Sequence, residues 1–145
     1  MSGARRCVLP AALAALAVLH PCTEALAARL LPGMGPHRRT VTTVSREAQR
    51  WFDQGLVLTM SFNHDEAIRS FAEAARLDSG CAMAWWGIAL ANGPHINNPS
   101  MSEQQSRDAW VALGRAMALR AKASPVERAL IEALAARYAD PPPAD

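Results

Sequence analysis

The chain has 145 residues, 50% of them hydrophobic, 6% aromatic and 19% charged, with 15 Lys+Arg against 13 Asp+Glu and a formal charge of +2. That length holds one domain at most, and a charge so near zero, spread along the chain, supplies no basic field of the kind nucleic acid requires. The apolar share is largely alanine and leucine, while isoleucine, threonine and tyrosine are sparse, which favours helix and excludes an all-β fold.

Arg5 and Arg6 precede an apolar run from Cys7 to Leu19, and Ala25-Leu26-Ala27 supplies the small-x-small pattern that a signal peptidase reads. Residues 1–27 therefore read as a secretory signal peptide cut after Ala27. The run, about 13 residues, is shorter than the roughly 20 that a membrane-crossing helix needs, so no permanent membrane span is expected. Arg5-Arg6-Cys7 also loosely resembles a twin-arginine signal, although Ala4 stands where Ser or Thr is usual. Cleavage removes Cys7 and Cys22 and leaves Cys81 alone, so no internal disulfide is expected. The small neighbours Ala82 and Ala84 place Cys81 in a helix–helix contact.

Residues 28–44 carry Pro32, Gly33, Gly35, Pro36 and the cluster His37-Arg38-Arg39 without apolar periodicity, and they read as an exposed, disordered leader. A helical domain is expected over 45–140, followed by a Pro-rich tail, 141–145. Its first helix runs from Arg46 to Ser61, and Asn63 with Glu66 makes a capping-box-like start for a second that ends near Leu77. Ser79 is the expected cap of a third helix reaching Ala91, where Asn92-Gly93-Pro94 stops it. After a loop from Pro94 to Ser102, Ser102 and Gln105 open a fourth helix lasting to Ala121. Ser124, Pro125 and Glu127 open a fifth.

A repeat runs through these helices. Trp51 and Gly55 recur as Trp85 and Ala89, 34 residues later, and Ala67, Phe71 and Ala74 recur as Ala109, Leu113 and Ala116 with the same internal spacing. The longer offset of the second set is taken up in the Pro94 to Ser102 loop, where an insertion costs little. Large residues act as knobs, and small ones mark close approach of two backbones. A hairpin built this way must stack on a neighbour to cover its apolar face.

Trp51, Gly55, Leu58, Ala67, Phe71 and Ala74, in a 34-residue unit of two helices, resemble the tetratricopeptide repeat (TPR) pattern. The surrounding segments are similar to exported bacterial TPR proteins. Gln54 and Phe62 depart from the leucine and glycine the pattern favours, Ser79 from its proline, and Asn92 from an apolar residue. The resemblance implies an all-α solenoid of about two and a half antiparallel hairpins. It also implies a concave face that receives partner segments, formed here by Gln49, Phe52, Leu56, Thr59 and Met60 with Met83, Trp86 and Leu90. That face is apolar, which points to an apolar partner segment with Trp86 as its aromatic anchor. The alternative is that Trp85 and Trp86 both belong to the core between repeats.

Arrays of this kind need about three repeats and a closing helix with a polar outer face, so the chain is also expected to be a piece of a longer array, prone to self-association through its last helix. The exposed charges are expected to pair along the helices, as in Arg69 with Glu73. No nucleotide-binding glycine loop, HExxH, CxxC or nucleophile elbow occurs, so no catalytic residue and no cofactor is expected. The one metal-site alternative is His64, beside Asp65 and Glu66, with His95 from the following loop, imidazole favouring zinc or copper. The sequence thus predicts an exported protein, periplasmic or secreted, that binds a protein or peptide partner and is not an enzyme.

Overall fold

Serine side chains set three helix starts. Ser45 Oγ accepts from the Ala48 N–H at the head of α1 (Arg46–Met60), and Ser102 and Ser124 form complete capping boxes with Gln105 and Glu127. Between them lie α2 (His64–Leu77) and α3 (Ala82–Asn92); the boxes open α4 (Glu103–Leu119) and α5 (Pro125–Ala135), with a 3-10 turn at Arg120–Lys122 between these two. The computed structural model describes residues 28–138, and among them every regular element is helical. The expected signal peptide and Pro-rich tail lie outside the described residues.

Two starts differ from expectation. Asn63 makes no side-chain cap bond. The chain turns instead through Phe62 at φ 61°, with the Asn63 N–H donating to the Leu58 carbonyl at 2.9 Å and the Phe62 N–H to the Thr59 carbonyl at 3.2 Å. This is the paired bond pattern that usually places glycine at the left-handed position. The third helix begins after Cys81 rather than at Ser79, because the Asp78 carboxylate takes the Gly80 N–H at 3.0 Å and holds Ser79-Gly80 in a turn. The expected Arg69–Glu73 pair is also replaced: Arg69 binds Glu66 and Arg76 binds Glu73, both at i,i+3.

Connections of a few residues between α1 and α2 and between α2 and α3 make successive helices antiparallel neighbours. Each helix packs on the next, and α1 also touches α3 and α3 touches α5. Ala67, Ala74, Ala89, Ala109 and Ala116 are fully buried, as close backbone approach requires. Phe71 is the central knob: a Cβ at Gly55 would lie 2.7 Å from its ring, and one at Gly87 2.5 Å. Cys81 is buried as a free thiol, and burial pushes its pKa up, so it is inert packing rather than a nucleophile. On α5, Ile131 and Leu134 turn inward while Arg128 and Glu132 stay exposed.

Residues 28–44 contain no helix or strand, in keeping with their composition, but they are not a free leader. Leu30, Leu31 and Met34 pack against the core, and Val41 is only 6% exposed. The segment is a strap laid along α1. Its apolar residues pack on the core without helical or strand periodicity, and hydrogen bonds from α1, Asp78 and Glu127 hold its main chain.

Candidate functional site

The strap is held by its main chain. Gln54 Oε1 accepts the Leu31 N–H at 2.7 Å, and Gln54 Nε2 donates to the Arg29 carbonyl at 2.9 Å and to Ser70 Oγ at 3.0 Å. Five residues earlier on α1, Gln49 Oε1 accepts the Val41 N–H at 3.0 Å and Gln49 Nε2 donates to the Arg39 carbonyl at 2.8 Å. Each glutamine therefore clasps the carbonyl of one strap residue and the N–H of the residue two further on. A primary amide, carrying donor and acceptor side by side, suits that pair of groups on an extended chain. Asp53 Oδ1 completes the second clasp, accepting from Gln49 Nε2 at 2.9 Å and from the Arg39 N–H at 3.0 Å. Gln49 and Gln54 are each 4% exposed, so these bonds are shielded from water and costly to leave unmade.

Two carboxylates anchor the end of the strap. The Thr42 N–H and hydroxyl donate to the two oxygens of Glu127, both at 2.6 Å, and the Thr43 hydroxyl and Val44 N–H donate to Asp78. Burial alone would raise the Glu127 pKa, but the hydrogen bonds from Thr42 and Ser124 outweigh it and hold the carboxyl below its ordinary value. Asp78 follows the same balance: burial raises it, and the bonds from Thr43, Val44 and Gly80 bring it down. Between the strap and α1 lies a cleft of about 270 Å³, lined among others by Leu30, Met34, Arg50, Asp53 and Val57. Arg38 stands at its rim, 3.9 Å from Asp53.

Of the side chains expected to form the concave face, only Gln49 hydrogen-bonds the strap. Phe52 is fully buried against Phe71, ring centroids 5.4 Å apart, and Leu56 and Met83 are buried too. Thr59 is buried with its hydroxyl donating to the Gly55 carbonyl at 2.8 Å. Leu90 is half-buried, while Met60 is exposed. Trp86 is not an open anchor: it is 8% exposed, and its indole N–H donates to the Leu130 carbonyl of α5 at 3.1 Å. Trp85 lies half-buried under the Arg115 guanidinium, 5.1 Å from the ring centre. The sequence of α3 is apolar all round, which marks the helix as buried but not that α5 covers Trp86. Gln54, Asp53 and Glu127 were not singled out as binding residues, although Gln54 was legible as a polar departure at a position that favours leucine.

The structure does bring His64 and His95 together. His64 is the first residue of α2, and His95 is fixed by a tight turn in which His95 and Asn98 exchange main-chain bonds at 2.9 and 3.0 Å. Their rings stack with centroids 4.2 Å apart and planes 21° from parallel, and Phe62 leans on both. Both ring nitrogens of His64 and Nδ1 of His95 are shielded and have no hydrogen-bond partner. Burial first, and then the neighbouring His95, push the His64 pKa below its ordinary 6.5, with Asp65 opposing. Among the described residues, no group of three or more His, Cys, Asp or Glu is placed to hold a metal ion. None of their helices is long and apolar enough to cross a membrane.

No protein-family model, curated protein or solved structure matches this chain.

Proposed function

We propose that the chain is an exported, TPR-type scaffold that binds an extended segment of a partner polypeptide on the α1 face. The observation that carries this reading is the pair of glutamine clasps, each addressing a main-chain carbonyl and N–H of a segment without helix or strand, rather than its side chains. Apolar packing alone covers a surface with anything of the right shape; shielded amides that match the spacing of a main chain select polypeptide. Contacts of α1 with α3 and of α3 with α5 support stacked hairpins, and the sequence of residues 1–27 supports export. Phe52, Leu56, Thr59, Met83 and Trp86, all buried, then belong to the core and not to the contact surface.

The test is a photo-crosslinker in place of Arg50, at the cleft, in the intact chain produced in its own cells. A cross-link to a second polypeptide that disappears when Gln49 and Gln54 are both alanine is expected. Persistence of that adduct in the double variant would remove the clasp from recognition.

A further inference from the structure

Both clasps share one rule. Gln54 holds the Arg29 carbonyl and Leu31 N–H, Gln49 holds the Arg39 carbonyl and Val41 N–H, and in each the residue whose N–H is taken is aliphatic and turned toward the core. The two clasped stretches are therefore the same arrangement used twice, ten residues apart in the chain. Between them the strap turns through Gly33 and Gly35, at φ 79° and 75°, and beyond them it joins α1 through Thr42 to Ser45. No helix has to break for residues 28–41 to leave. They also leave the cleft of about 270 Å³ beside Leu30 and Met34, so the strap does not fill the site it sits in. Its only charged side-chain pairing with α1 is the loose contact of Arg38 with Asp53 at 3.9 Å, between groups of which Arg38 is mostly exposed.

We propose that residues 28–41 are an internal occupant of the α1 peptide site, so that the site is closed until an extended partner segment, carrying an aliphatic residue at each clasp, displaces them. This inference rests on the peptide-binding function proposed above and adds its regulation and the chemistry of its partner. A tethered occupant competes at an effective concentration in the millimolar range, so the intact chain binds a partner segment much more weakly than the open site does. A partner wins by filling the cleft that the strap leaves, by binding at two clasps in one continuous segment, or by both.

The probe is a fluorescein-labelled synthetic peptide with the sequence of residues 28–41, titrated by anisotropy into three intact proteins: wild type, the strap variant Leu31→Asp with Val41→Asp, and that variant with Gln49→Ala and Gln54→Ala added. Binding at least ten-fold tighter to the strap variant than to wild type, and lost in the third protein, is expected. Equal, tight binding to wild type and strap variant would overturn internal closure while leaving the peptide site standing. No binding to a strap variant whose helical circular dichroism is intact would overturn the site itself. Binding unaffected by the glutamine changes would overturn the clasp. If the aspartate variant loses its helical signal, Leu31→Ala with Val41→Ala carries the same expectations.

Discussion

Phe71 of α2 fills the space that Gly87 of α3 leaves open: a Cβ on Gly87 would stand 2.5 Å from the Phe71 ring. A Cβ on Gly55 of α1 would stand 2.7 Å from the same ring, so one side chain sets the spacing of three helices. Gly87→Ala should therefore destabilise the fold by about 2 to 3 kcal/mol through overpacking, even though alanine is the better helix former. Urea denaturation checks this. In a double-mutant cycle with Phe71→Leu the cost should shrink, because the smaller side chain yields the space.

Trp86 is predicted to behave as core. Trp86→Ala should cost about 3 to 5 kcal/mol, whereas Trp86→Phe should cost about 1 kcal/mol for the lost bond to Leu130. Thermal melts of the two variants distinguish this from an exposed anchor, whose truncation would leave the melting temperature unchanged.

The helix starts at Ser45, Ser102 and Ser124 were legible because capping is local: the serine and the residue it bonds lie three positions apart. The small-and-large spacing around Phe71 was legible for a related reason, since it follows from helical periodicity. The strap was not, because its partners Gln49, Gln54, Asp78 and Glu127 lie at irregular separations, from 8 to 85 residues along the chain, and impose no pattern on it. What the sequence did display were two departures. Gln54, where leucine is favoured, is a clasp residue, and Phe62, where glycine is favoured, holds a left-handed φ while leaning on both histidines. The burial of Trp86 was not legible for a tertiary reason: α5 supplies the cover that the sequence of α3 cannot reveal.

Phe62→Gly should stabilise the protein by about 1 kcal/mol, the approximate cost of a left-handed conformation for a residue with a side chain. Phe62 is 52% exposed, so the packing lost in exchange is confined to its contacts with His64 and His95. A rise in the urea midpoint without a change in slope is the expected result.

Acid should weaken the fold in two windows. His64 has a folded pKa below its ordinary 6.5, so its contribution is present above that value and is lost as pH falls below it, where the unfolded chain takes up the proton first. Glu127 and Asp78 are held below their ordinary 4.5 and 3.8, so their contributions are present above those values and are lost as pH falls through the lower folded ones. Unfolding measured from pH 7.5 down to pH 3 should show both losses. His64→Asn should remove the upper window and Glu127→Gln should reduce the lower, with release of the strap at Thr42 as its structural sign.

The central claim is that α1 grips a polypeptide by its main chain, and amide hydrogen exchange of Leu31 and Val41 tests it most directly. Both amides should be protected in the wild-type protein. Gln54→Ala should release Leu31 first and Gln49→Ala should release Val41 first, each with the helical amides unaffected. Exchange of both amides at the rate of a free peptide in the wild-type protein would contradict the clasp and everything built on it.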